Sequence, residues 1–487
     1  MSGKAVEQYL KSYAEAEAAL ASELFSTSAV SASTTASTSA YKQMSASHTP
    51  LFQACLVIPV FAENYHFIER WLTSKIAQDK LLILVLNQHE NAAEHQQRMN
   101  AELFDWLLEK SCVLQKEKNL FLLRQHHHHF ILVDRFRNEF ILKQKHGVGH
   151  ARKIGCDIAA RLHHENIVAS PWIYSTDADA QLPENYFSLN TPNHSNLDST
   201  TKERLKAEAA QVFDFRHIKQ KAQVNEKENE LIYRSTQLYE SAIKYYRDGL
   251  AWAGSPYAFY TLGSTLAVNT NAYCQVRGFP KRSGAEDFYL LNKLAKIGHI
   301  VFRPDITIAI EARLSDRVPF GTGPAVEKIL QTPNGESSYA YYHPNCFLAL
   351  RHLLQHIDYL FEEIAVNDAN TILANEILAN TLLESHEDLT QAIGQHIYNK
   401  LQTLPTLPQC PNINEAVYRG LLALDVKSFY LHALKQCRTQ TGLIQHFHQW
   451  FDGFLTLKFI RYMQTHYFSD IALETCITTL AEYQEYL

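Results

Sequence analysis

Two apolar runs decide the fold: Ala54-Cys-Leu-Val-Ile-Pro-Val60 and Leu81-Leu-Ile-Leu-Val-Leu86. Each has the length of a strand and no polar face, the signature of a strand covered on both sides, as in a parallel sheet between helices. Phe67, Trp71 and Leu72 lie between them at helical spacing, so the segment reads strand, helix, strand. The alternation continues with a helix around Ala92 to Cys112, a strand at Phe130-Ile-Leu-Val133, a helix at Ala151 to His163 and a strand at Pro171-Trp-Ile-Tyr-Ser175. Open sheets of this kind collect ligands at the carboxyl ends of their strands, so the residues after each strand carry the most functional weight.

The chain has 487 residues, 46% apolar and 20% charged, with a formal charge of −6. Its mild acidity argues against a dedicated nucleic-acid binder. No apolar stretch approaches the roughly 20 residues of a membrane span. Residues 1–25 lack the apolar block of a secretory leader. A cytoplasmic protein, at most peripheral to a membrane, is expected. The eight cysteines include no C-x-x-C pair and read as reduced thiols.

Val6, Leu10, Tyr13, Leu20 and Leu24 make residues 1–25 an amphipathic helix, suited to docking on a later domain or to binding a partner. Residues 26–50, rich in Ser, Thr and Ala, offer too little apolar surface to offset ordering and read as a flexible linker. The sheet domain takes 51–329. Beyond it, residues 330–487 read as an all-α domain, with apolar stripes through Leu350 to Ile364, Ile372 to Leu383, Leu421 to Leu434 and Phe451 to Tyr462.

The chemistry concentrates in two acidic pairs. Tyr174-Ser-Thr-Asp-Ala-Asp-Ala180 ends an apolar strand with Asp177 and Asp179, which extended backbone would point to one side. Two converging carboxylates suit a hard divalent cation, Mg²⁺ or Mn²⁺, that also holds phosphates; a turn with one capping Asp is the plainer reading. Glu286-Asp287 opens a helix, where the helix dipole alone would favour acids, but where one could also serve as a general base. Lys145-His-Gly-Val-Gly-His-Ala-Arg-Lys-Ile-Gly155 puts glycines and cations at a helix start, a place that can bind anions, yet it is neither a dinucleotide fingerprint nor a Walker loop. His126 to His129 lack the spacing of a zinc helix and read as an exposed loop.

In order and separation, Val57-Ile-Pro-Val-Phe-Ala-Glu63, Gly147-Val-Gly-His-Ala-Arg152, Asp177-Ala-Asp179, Gly278-Phe-Pro280 and Glu286-Asp287-Phe-Tyr-Leu290 resemble the family 2 glycosyltransferases over about Phe52 to Phe320. The resemblance implies a GT-A type, Rossmann-like, mostly parallel sheet flanked by helices and followed by the all-α domain. It implies transfer of a sugar from a nucleotide-diphosphate donor to a hydroxyl acceptor, with Mn²⁺ or Mg²⁺. By position, Pro59, Phe61 and Glu63 would line the nucleotide pocket and Arg152 would sit near the nucleotide. Asp177 would face ribose or metal, and Asp179 would ligate metal. Asp287, with Glu286 as second choice, would be the base.

The chain departs from the family where relatives often carry aspartates that read the base: here the stretch is Leu86-Asn-Gln-His-Glu90, leaving Asn87 for that role. Glu311 or Asp316 stands where some relatives place a third metal ligand. No Q-x-x-R-W motif occurs, so a processive synthase is not expected. Arg313 and Arg317, before Pro319-Phe-Gly-Thr-Gly-Pro324, could form a lid on a diphosphate, and Tyr260, with Tyr257 and Phe259, an acceptor shelf. The competing expectation is a catalytically silent binding or scaffold protein of the same fold.

Overall fold

The structure is a computed structural model that describes residues 2–25, 49–188, 208–220, 225–314, 321–332, 339–361, 386–437 and 439–486. They form two compact units, residues 1–236 with 261–328, and residues 237–260 with 329–487.

The first unit is built on a ten-stranded sheet of order β3-β4-β5-β2-β1-β6-β9-β8-β10-β7. Its strands are β1 (Ala54–Val60), β2 (Lys80–Asn87), β3 (Cys112–Glu117), β4 (Leu120–Gln125), β5 (His128–Arg135), β6 (Trp172–Ser175), β7 (Ala180–Gln181), β8 (Glu208–Lys219), β9 (Leu266–Asn269) and β10 (His299–Ala312). β5, β2, β1 and β6 pair in parallel, in registers such as Val57↔Ile83 and Leu56↔Tyr174, as their two-sided apolar runs require. Following the pairings outward, β8 and β10 also run with this group, whereas β4, β9 and β7 run against it. The sheet is therefore mixed but mostly parallel, and the carboxyl ends of β1, β2, β6, β8 and β10 share one edge.

Its helices are α1 (Ser2–Ser12), α2 (Ala16–Glu23), α3 (His66–Thr73), α4 (Glu94–Lys110), α5 (Gly147–His164), the start of α6 (Glu226–Trp252), α7 (Thr270–Gln275), α8 (Glu286–Leu294) and most of α9 (Thr322–Gln331). α5 is buried almost throughout, packed against β1, β2 and β6 and covered by α1 and α2. A Cβ on Gly155 would lie 2.4 Å from a Val57 methyl, so this glycine lets the helix reach the sheet.

Several expectations need correction. The single helix over 1–25 is two, because Glu15 is extended (φ −68°, ψ 153°) and donates its N–H to the Asp157 side chain on α5. The helix expected to Cys112 ends at Lys110, where Ser111 turns extended and β3 begins as the half-exposed edge strand. The His run is no exposed loop at its far end. His126 (φ 55°) makes the β4–β5 turn and His128 is buried at the start of β5. The cysteines carry no disulfide, and Cys112 is exposed.

The second unit holds α10 (Pro344–Gln355), α11 (Ile357–Leu360), α12 (His386–Gln402), α13 (Ile413–Ala423), α14 (Val426–Gln436), α15 (Gln440–Trp450), α16 (Gly453–His466) and α17 (Leu473–Tyr486), with a two-stranded ladder of β11 (Ala340–Tyr341) on β12 (Ile471–Ala472). Phe347, Leu350, Phe361, Tyr430, Phe447 and Phe459 form its core. Residues 237–260 join it, since Ala242, Tyr245 and Leu250 of α6 supply part of that core; the sequence had assigned this segment to the sheet domain. The stripe over Leu421 to Leu434 is split by Asp425 in a left-handed conformation (φ 61°). The stripe Ile372 to Leu383 and residues 26–48 of the expected linker lie outside the described residues. Among the described residues no helix is long and apolar enough to cross a membrane.

Candidate active site

The shared edge gathers residues distant in sequence: Phe61 to Glu63 after β1, Asn87 at the end of β2, Asp177 to Asp179 after β6 and Arg313 after β10. The β6 exit is a turn rather than extended backbone, with Ala180 N donating to Asp177 O at 3.1 Å. Thr176 anchors it, donating from N to Val57 O (3.1 Å) and from Oγ1 to Ser264 O (2.9 Å). The turn directs the two aspartates to different guanidiniums.

Arg152 of α5, 2% exposed, holds the first. Its Nη2 donates to Asp177 Oδ1 (2.9 Å), its Nε to Glu286 Oε1 (3.1 Å), and its Nη1 to Ser175 Oγ (2.7 Å) and Gly263 O (3.0 Å). Burial opposes the charge on Arg152, but Asp177 and Glu286 more than offset it and raise its pKa. A Cβ on Gly263 would stand 2.5 Å from Nη2, so that position must be small. One buried fork thus joins the two acidic pairs.

Arg313 holds the second. Its Nε donates to Asp179 Oδ2 (3.0 Å), and Nη1 and Nη2 grip both oxygens of Glu63 (3.0 and 2.5 Å). Arg70 of α3 donates to the carbonyl between the aspartates, Ala178 O (2.8 Å), and pairs with Glu311 at 3.2 Å. Arg70 escaped the sequence reading, since it carries no local signal.

The other acidic pair opens α8. Ala285 before it adopts φ 55°, a left-handed conformation costly for a residue with a Cβ. Asp287 Oδ1 accepts from Phe288 N at 2.7 Å. Burial, followed by the negative charge of Glu286, pushes the Asp287 carboxyl well above the usual carboxylate range. Such a group exchanges a proton near neutral pH.

Other predicted residues stand apart from this cluster. Pro59 is buried inside β1, paired with Val85. Phe61 packs on the His89 ring, centroids 5.4 Å apart. Asn87 does not present its amide donor to a ligand: Nδ2 donates to Val60 O (2.8 Å) and Val85 O (3.3 Å). Asn100, unnoticed in the sequence, braces both exits by accepting from Ala62 N and donating to Asn87 O. Tyr260 is no open shelf; it is 2% exposed, under the Arg247 guanidinium in the second unit. Arg317 and Asp316 lie outside the described residues.

The glycines of Gly147-Val-Gly149 cradle protein, not an anion. Gly149 N donates to Arg282 O (2.9 Å), and a Cβ there would be 2.5 Å from Pro280 O. A Cβ on Gly147 would be 2.7 Å from Ser283 Cα. The start of α5 therefore lies directly on the turn that leads into Glu286-Asp287.

Among the described residues no group of three or more His, Cys, Asp or Glu side chains could hold a metal by itself. Asp177 and Asp179 are each paired with a guanidinium, of Arg152 and Arg313 respectively. Around them Glu63, Glu286, Asp287 and Glu311 add further acid against Arg70, Arg152 and Arg313, so carboxylates outnumber guanidiniums. Compared with known proteins, the sequence matches no family model and no curated protein.

Proposed function

We propose that this chain is a GT-A type glycosyltransferase that moves a sugar from a nucleotide-diphosphate sugar to a hydroxyl acceptor, inverting and non-processive. The observation that carries the reading is the Arg152 fork, which ties Asp177 to Glu286 beside Asp287, a carboxyl whose raised proton affinity suits a general base. Asp287 takes the proton of the acceptor hydroxyl as its oxygen bonds to the anomeric carbon. The bond from that carbon to the diphosphate breaks, and the nucleoside diphosphate leaves with the electron pair. Mg²⁺ or Mn²⁺ at Asp177 and Asp179, when bound, would offset the charge developing on the leaving group. Glu63 and Arg313 adjoin Asp179 where the diphosphate would lie, and Phe61 with His89 offers a ring surface to the base.

The second reading, a silent binding protein, draws support from the guanidinium already paired with each aspartate. The two separate in a thermal shift experiment: UDP or GDP raises the melting temperature only with Mn²⁺ or Mg²⁺, and Asp179→Ala abolishes the rise. A donor panel then identifies the sugar by its release. No shift with any nucleotide favours the silent protein.

The Arg313 clamp adds a prediction. While Arg313 covers Asp179 and Glu63, Mn²⁺ alone should bind poorly. Arg313→Met removes the competing cation and should tighten binding of Mn²⁺ alone about tenfold by calorimetry, an effect well within that of one partly screened charge. Equal affinities would mean that Asp179 is not a ligand.

A further inference from the structure

The α1–α2 segment does more than cover α5. Its apolar residues, Tyr9, Leu10, Ala18, Ala21 and Leu24, are buried. Where it meets the turn before Glu286, however, the contact is polar and only partly buried, with side-chain exposures of 13% for Glu15 and 38% for Lys281. Glu15 lies at the centre. Its Oε1 meets Lys281 Nζ at 2.6 Å and Lys153 Nζ at 3.8 Å, and its Oε2 meets His150 Nε2 at 3.0 Å. Its backbone N–H donates to Asp157 Oδ2 at 2.8 Å. Asp157, 0% exposed, also accepts from Tyr9 Oη (2.6 Å), Tyr273 Oη (2.8 Å) and Lys153 Nζ (2.7 Å).

One carboxylate therefore binds two separate segments. His150 and Lys153 flank Arg152 on α5; Lys281 belongs to the turn that delivers Glu286 and Asp287. The N-terminal segment holds the same turn at its other end, where Arg277 lies over the Tyr13 ring at 4.5 Å and a Cβ on Gly278 would be 2.4 Å from Tyr9 Oη. Beside this tie, the Gly149–Arg282 hydrogen bond and the close approach of Gly147 to Ser283 hold the turn directly against the start of α5.

We propose that the N-terminal α1–α2 segment is a positioning element of the active site, in which Glu15 locks the 280–285 turn to the start of α5 and so sets Arg152 against Glu286 and Asp287. The assignment of a catalytic consequence rests on the transferase reading; the tie itself does not.

The test uses the full chain and compares Glu15→Gln with Ser22→Ala, which removes a contact from α2 to Glu165 at the exposed end of α5. By hydrogen exchange, Glu15→Gln should speed the amides of 278–290 about tenfold as the turn opens locally. Ser22→Ala should leave them unchanged. In donor turnover, Glu15→Gln should lower kcat about tenfold with donor KM within about twofold, because reacting groups are displaced rather than removed. Unchanged exchange at 278–290 overturns the proposal, and so does faster exchange with unaltered kcat. A parent chain inactive on every donor that still shows the exchange response defeats the transferase reading and supports the tie.

Discussion

Arg152→Met will lower the stability of the sheet unit by about 3–5 kcal/mol, the cost of leaving a buried charge without its partner. The Glu286 side chain is only 5% exposed and loses its guanidinium; the Ser175 hydroxyl and the Gly263 carbonyl lose their donor as well. The comparison that makes the number meaningful is Arg70→Met. Its pair with Glu311 is partly open to water, with side-chain exposures of 37% and 18%, and pairs of that kind contribute about 0–1 kcal/mol. Hydrogen exchange of the β1 and β6 amides reads the sheet unit by itself. Similar losses in the two variants would show that Arg152 is not the group on which the acidic pairs depend. Arg152→Lys keeps the charge but not the fork, and should recover little.

On the transferase reading, Asp287→Asn will lower sugar transfer by about 10²–10⁴-fold; whatever the activity, the variant will be more stable than its parent at alkaline pH. The sign follows from the raised pKa. In the folded chain Asp287 binds its proton more tightly than in the unfolded chain. Its contribution to stability is therefore complete below the ordinary carboxylate range and is lost as pH rises through the raised value. Asparagine has no proton to lose there, and its Oδ1 can still accept from Phe288 N. Melting curves from pH 5 to pH 9 should show the parent falling below the variant toward the alkaline end, with the nucleotide-dependent thermal shift kept. A variant that melts lower at high pH, or one that still turns over donor, would remove Asp287 from the role of base. In the parent, kcat/KM should rise with pH through that same raised value.

How far the sequence could be read follows from what each feature depends on. β1, β2, β5 and β6 were legible because burial on both faces leaves an uninterrupted apolar run. β3 was not, because an edge strand with one wet face resembles the polar end of a helix. The acidic pairs stood out as titratable groups at element ends, but their partners could not be found locally: Arg152 lies 134 residues from Glu286, and Arg313 lies 250 from Glu63. Gly147 and Gly149 suggested an anion cradle, since a tight backbone approach looks the same in sequence whether the neighbour is phosphate or peptide. Asn87 was marked for base recognition by its position at the end of the second strand, and the fold uses its amide to fasten β2 to β1.

By itself, then, the sequence determined the alternation of elements, the covered sheet and the positions at which carboxylates leave it, because periodicity and residue type act over a few neighbours. Tertiary structure alone decided which charges meet: Arg152 with Asp177 and Glu286, Arg313 with Asp179 and Glu63, Glu15 with Lys281 and His150. The reason is physical. A buried charge is tolerable only where an opposite charge or donors stand within hydrogen-bond distance, and the strand order that brings those groups to one edge is a property of the whole sheet.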